Sequence, residues 1–327
     1  MSTTTSTTTP AVKRGKKSRN IVDWMPIITL VFLMIIMAIG SPRFLLPSNL
    51  HGLATQSATL LVLGLGETFI ILLGSIDLSI APVAAMSTII AAMLIPTLGY
   101  GAYVVATIFG VFAGLLTGLV HTKARIPSFI ATLGAMGLWT GVGFVISKAT
   151  PITVAAGDIH YTRWVTGSTF GINNVIYIAI LVLILTYIIE KYTVFGRYVK
   201  AIGAGERATS VSGVNIDRYK TLAFVLSGTL AAFAGVLLSA RMAGGSARMA
   251  DGLQMKAIAV VVLGGTAISG GIGGVLRTLV GVLIVIALDT GMTMAGVNPW
   301  FQQAVYGAII IMAVALTIDR SRITIIK

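Results

Sequence analysis

Residues 190–220 read EKYTVFGRYVKAIGAGERATSVSGVNIDRYK, a polar stretch between apolar runs long enough to cross a bilayer. It carries nine charged residues, six basic and three acidic, in a chain with only 23 basic and 10 acidic residues in all. A loop this basic between two spans faces the cytoplasm, because positively charged loops are retained on that side. Glycines at 203, 205 and 213 punctuate it and predict a short helix, a turn and a second short helix. The second helix is expected over residues 204–211, with Glu206 and Arg207 exposed. A plain solvated connector is the alternative reading.

Outward from this loop the chain is apolar. It is 56% hydrophobic and 10% charged, where a soluble domain carries about 25% charged residues. The fold class expected is therefore an all-α integral membrane protein. At roughly 20 residues per span, 327 residues leave room for about ten transmembrane helices. The net charge of +13 does not signal nucleic acid, since the basic residues lie in loops and tails. Among them Lys13, Arg14, Lys16, Lys17 and Arg19 precede the first span. The absence of cysteine excludes disulfides, thiolate metal sites and thiol catalysis.

The expected spans are 21–40, 53–73, 80–95, 102–120, 128–147, 173–189, 221–240, 254–268, 275–292 and 300–318. The first is too long for a signal-peptide core and no small-residue cleavage site follows it, so it reads as an uncleaved helix. Residues 1–20 read as a disordered basic cytoplasmic tail, 21–319 as the transmembrane domain and 320–327 as a second cytoplasmic tail. Ten spans with both termini inside put residues 123–125, the 190–220 loop and Arg320, Arg322 and Lys327 on the cytoplasmic side. The loop at 241–253, with Arg241 and Arg248 outside, runs against the bias.

Two interruptions stand inside long apolar stretches: GSIDLS at 74–79 and GGTAISGGIGG at 264–274. Each reads either as a tight turn or as a functional break beside a central path. Interrupted segments in both halves of a transporter point to an internal repeat of two halves.

No catalytic constellation is present. His51, His121 and His160 are scattered, so no metal site is expected. The only Gly-Lys pair, Gly15–Lys16, is followed by Lys17 and is not an ATP-binding loop. Glu67, Asp77 and Asp289 are acids within apolar stretches, where a charge costs about 2.5–3.5 kcal/mol at the bilayer centre. Asp77 reads as a cap of the span at 80–95 or as a path residue. Gly110, Gly114 and Gly118, and likewise Gly137 and Gly141, offer faces for close helix approach. Trp139, Gln56, Asn298, Trp300, Gln302 and Gln303 supply aromatic faces and amides of the kind sugars bind, although Trp300 also fits a membrane-interface anchor.

Four motifs in one order carry a family resemblance. They are FGRY at 195–198 with AIG at 201–203, Glu206, Ala208 and SGV at 212–214; GSIDLS at 74–79; IPSFIATLG at 126–134; and AIAVVVLGGTAISGGIG at 257–273. Together they resemble the ribose-type permeases of ATP-binding-cassette (ABC) importers. Where that family often has Gly-Gly-Asn-Glu, this chain has Gly203, Ala204, Gly205 and Glu206. The resemblance implies a multi-pass inner-membrane transport subunit that is not itself an enzyme and holds no cofactor. ATP and Mg would sit on partner ATPase subunits, whose movement the 190–220 loop would receive through Gly196, Arg197, Gly203, Gly205, Glu206, Arg207, Ala208 and Gly213. A second permease copy or paralogue, an extracytoplasmic solute-binding protein and membrane lipid complete the expected partners, and no nucleic acid is among them. Candidate path residues are Gln56, Glu67, Asp77, Trp139, Asp289 and Asn298. Pentoses, hexoses, inositol and a furanosyl signalling molecule stay open as substrates. The readings of a different class are an ion- or proton-coupled transporter relaying through Glu67, Asp77 or Asp289, and a membrane scaffold.

Overall fold

Every long segment of the chain is helical, as backbone in lipid must be to satisfy its own hydrogen bonds. The computed structural model describes residues 19–40 and 42–317. The expected tails at 1–18 and 318–327, with Arg320, Arg322 and Lys327, and the side chain of Trp300 lie outside the described residues. The helices are α1 (Arg19–Gly40), α2 (Pro47–Leu72), α3 (Ile80–Leu98), α4 (Gly101–Lys123), α5 (Ser128–Ile146), α6 (Arg163–Thr166), α7 (Asn174–Tyr192), α8 (Val194–Ala204), α9 (Glu206–Val211), α10 (Ile216–Met242), α11 (Leu253–Leu263), α12 (Val275–Met294) and α13 (Pro299–Thr317).

Seven of these, α2, α3, α4, α5, α7, α10 and α12, are long and apolar enough to cross a membrane. The apolar stretches of the described parts of α1, α11 and α13 are shorter: Trp24–Gly40, Leu253–Leu263 and Phe301–Met312. The expected span at 254–268 is thus corrected to a helix of 11 residues. It stops because Gly264 and Gly265 turn the chain, Gly265 at φ +89, a conformation that side chains resist. At 1.5 Å per residue it is about 16 Å long, roughly half the hydrocarbon core.

α2 is the central helix and is almost wholly buried from Ala58 onward. α10, α7, α11 and α12 pack against it, and α3 and α4 pack on α10 and on each other. α1 lies against α12, and α13 against α11. The α4–α10 contact runs through Gly110, Gly114 and Gly118, as their spacing predicts. A Cβ on Gly110 would strike the backbone oxygen of Gly228, and one on Gly114 that of Phe224. Gly137 and Gly141 differ: nothing lies within 4 Å of where their Cβ atoms would be. Their face of α5 is open, so the expected close approach is not made among the described residues.

The 147–173 connection on the side opposite the polar loop holds small elements. β1 (Ile152–Thr153) pairs antiparallel with β4 (Gly244–Gly245), and β2 (Ser168–Thr169) with β3 (Ile172–Asn173).

Candidate functional site

The 190–220 loop folds as α8, a break at Gly205, α9 and a turn at Gly213, the helix–turn–helix expected of it. Thr193 opens α8 by accepting a hydrogen bond from the Gly196 amide at 3.2 Å, and Asn215 opens α10 by accepting one from Arg218 at 3.0 Å. α8 buries Gly196, Val199 and Ile202, one face at helical spacing. The second helix begins at Glu206 rather than at 204, and Gly203 lies inside α8 rather than at its end.

Gly203 serves close approach instead. A Cβ there would land on the Leu72 carbonyl oxygen, and on the Gly271 amide at 2.6 Å. The Gly271 amide itself donates to that Leu72 oxygen at 2.9 Å. A Cβ on Gly270 would meet the Gly74 amide at 2.7 Å and Gly203 Cα at 2.9 Å. Both interruptions, 74–79 and 264–274, therefore touch each other and α8 at one junction. The sequence leaves them as two separate breaks and does not show that they meet.

Glu190, the last buried residue of α7, locks this junction from the side. Its Oε1 accepts from Lys200 Nζ of α8 at 2.5 Å, and its Oε2 from the Val275 amide at 2.7 Å. A carboxylate at the first turn of α12 is favoured by the helix dipole. One side chain thus ties α7, α8 and α12 together. In the sequence Glu190 is one of the loop's nine charges, with nothing beside it to mark a role. Its one available signal was being the sole acid at the junction of an apolar run with the loop.

The loop's other face points away from the bundle. Arg197, Arg207, Ala208 and Gly213 are exposed, as is Glu206, whose Oε2 accepts from Lys220 Nζ at 2.8 Å. Gly205 has a φ of 179, extended backbone open to any residue. The eight loop residues singled out from the sequence thus divide into a gripping side, Gly196 and Gly203, and an outward side.

The path candidates fall into separate places. Glu67 and Asp77 are wholly buried together in the bundle, the Asp77 amide donating to Glu67 Oε1 at 3.2 Å. Asp77 Oδ1 accepts from the Ser79 amide at 2.8 Å and its Oγ at 2.6 Å, and Oδ2 accepts from Ser227 Oγ of α10 at 3.2 Å. Asp77 is thus a clamp on the interruption, two residues ahead of Ser79, which holds the N-cap position of α3. Gln254 of α11 completes it, donating to the Asp77 carbonyl at 2.9 Å and accepting from the Ala81 amide at 3.2 Å. Trp139 packs edge-on to Phe109 and Phe112 at centroid distances of 4.9 and 6.2 Å, facing α4.

Gln56 and Asp289 line one cavity of about 400 Å³ between α2, α11, α12 and α13. Asp289 Oδ2 pairs with Lys256 Nζ at 2.7 Å, and Oδ1 accepts from the Tyr306 hydroxyl at 2.6 Å. Asn298 is not on its wall; it lies between α12 and α13, where its carbonyl accepts from the Phe301 amide at 2.9 Å. In the sequence Lys256 is legible as a lone cation in an apolar helix, whereas Tyr306 gives no signal beyond its hydroxyl.

Residues 49–314 match the family model described as "Branched-chain amino acid transport system / permease component". The ribose import permease protein RbsC of Bacillus subtilis is 35% identical over 302 residues, covering 91% of this chain and 92% of the relative. The L-arabinose ABC transporter permease protein AraH of Azospirillum brasilense is 31% identical, covering 88% and 85%. The galactose/methyl galactoside import permease protein MglC of Escherichia coli is 29% identical, covering 88% and 92%. No solved structure matches the chain. A model spanning most of the sequence, and relatives aligned over nearly their whole length, make this chain a member of the branched-chain amino acid transport system / permease component family.

Proposed function

We propose that the chain is the membrane-spanning permease subunit of an ABC importer that moves a sugar into the cytoplasm, powered by separate ATPase subunits. The sugar rests on the names of the relatives, which are sugar permeases although the family's description names branched-chain amino acids. The drive rests on the junction beneath the loop. A push on the outward face of α8 and α9 reaches both interruptions directly through Gly203, and reaches α12 through Glu190. Packed interfaces of this kind shift between discrete arrangements rather than deform continuously.

In this reading α1 and α13 join the seven long helices, and α11, too short to cross alone, makes the tenth crossing together with the irregular chain on either side of it, in two repeated halves with both termini cytoplasmic. ATP and Mg belong to the ATPase partners. A second permease copy and an extracytoplasmic solute-binding protein complete the assembly in the inner membrane. The test is replacement of Glu206 and Arg207 together by Ala in the assembled transporter. Solute uptake and solute-stimulated ATPase activity should both fall at least tenfold with membrane insertion intact. Unchanged uptake would remove α9 from the coupling path.

One observation favours a second reading. Glu67 Oε2 is buried with no hydrogen-bond partner among the described residues, a free site for a proton or cation. Transport by the purified chain alone in liposomes, driven by an ion gradient, would decide for that reading.

A further inference from the structure

The cavity at Gln56 and Asp289 is chemically unlike the bundle around it. Asp289 lies 14 residues along α12 from Val275, about 21 Å at the helical rise, so the cavity occupies the end of the bundle remote from the loop junction. Its volume of about 400 Å³ falls at the small end of small-molecule sites, enough for a single small solute. Its wall is mostly polar, Gln56, Thr290 and the Lys256–Asp289 pair among it, and Leu53 and Met294 are its apolar members.

The state of those polar groups narrows the ligand. Lys256 and Asp289 already satisfy each other at 2.7 Å, so the wall carries both signs and no net charge. The Tyr306 hydroxyl is spent on Asp289. The Gln56 amide and the Thr290 hydroxyl make no hydrogen bond with any described residue. What remains on offer is the Gln56 amide and the Thr290 hydroxyl, each able to donate and accept, with the side-chain carbonyls of Asn49 and Gln302 as further acceptors, beside a closed ion pair with spare lone pairs and protons. An anion finds no free cation there. A zwitterionic amino acid would have to break the ion pair to place its own charges. A neutral compound with several hydroxyls matches every group, and its C–H faces match Leu53 and Met294.

We propose that this cavity is a solute-binding station on the extracytoplasmic half of the permease, built for one neutral polyhydroxylated molecule held by Gln56, Thr290 and the Lys256–Asp289 pair. The proposal rests on the sugar-importer reading for its physiological ligand and goes beyond it in assigning the site and the charge requirement.

The test is saturation-transfer NMR on the purified full-length chain in phospholipid nanodiscs, using D-ribose and D-galactose as probes and D-gluconate and L-leucine as charged counter-probes. At least one neutral sugar should receive saturation and the charged compounds should not. Gln56→Leu with Thr290→Val should weaken the sugar signal at least tenfold. Neither side chain makes a hydrogen bond with a described residue, so helicity by circular dichroism and thermal unfolding should not move. A second variant, Lys256→Gln with Asp289→Asn, removes both charges together and should retain sugar while losing affinity. No transfer to either sugar, transfer undiminished by the Gln56/Thr290 variant, or equal transfer to leucine would each overturn the proposal. The readout uses neither ATP nor a partner subunit. A failure here therefore leaves the coupling experiment on Glu206 and Arg207 standing, and failure of that experiment leaves this one standing.

Discussion

Glu190 ties three helices together, and its worth follows from its two partners. The contact with the Val275 amide occupies an otherwise unpaired donor at the first turn of α12, and the contact with Lys200 holds α8 against α7. Glu190→Gln keeps an acceptor in place and removes the charge. Because Lys200 is partly exposed, most of the loss comes from the helix terminus, about 1 kcal/mol. A matching drop in thermal stability in detergent should appear together with weakened ATPase coupling. A stability change with coupling intact would make Glu190 a cap and nothing more. The sequence marks this residue only as an acid at the edge of a loop. Its partner Val275 is 85 positions away, and no local pattern encodes such a pairing. The same holds for Asp77, whose motif is visible in the sequence while its hydrogen bond from Ser227 is not.

Among elements, the long helices were legible because their apolar runs match the bilayer's thickness. Their ends were not, since polar residues continue several of them past the apolar boundary: α2 begins at Pro47 rather than 53, and α10 at Ile216 rather than 221. The glycine spacing of α4 predicted a close contact and found one with α10. The same kind of spacing on α5 found none, because spacing announces a smooth face and does not say what meets it. The α4–α10 contact makes a sharp prediction. A Cβ on Gly228 would meet the Gly110 oxygen, and the Gly114 amide at 2.8 Å. Gly228→Leu should therefore overpack this seam and destabilise the bundle by about 1–3 kcal/mol or more, read as a lowered melting temperature. Gly213→Ala, in an open turn at the end of α9, should cost no more than about 1–2 kcal/mol for its left-handed backbone.

For the whole molecule, the proposed orientation can be read directly because the chain has no cysteine. Arg207→Cys, on the outward face of α9, should react with a membrane-impermeant maleimide only from the cytoplasmic side. Phe170→Cys, at the exposed tip of the β2–β3 hairpin, should react only from the other. Labelling of both positions from one side would invalidate the ten-span arrangement. The positive-inside bias that gives this orientation sums over all loops, which is why it survives Arg241 and Arg248 on the far side.

The junction under the loop is made almost entirely of main chain: Gly74, Gly203, Gly270 and Gly271 meet with no side chains between them. Contacts between side chains have slack, because rotamers can shift and absorb a small displacement. Here there are no rotamers to shift. A movement of α8 by a few tenths of an ångström has nowhere to dissipate and must appear in full at both interruptions. Such a coupling is stiff, and it is also indivisible, for enlarging any one of the four residues pushes its segment away from the other two. These positions can be expected to change in evolution together or not at all.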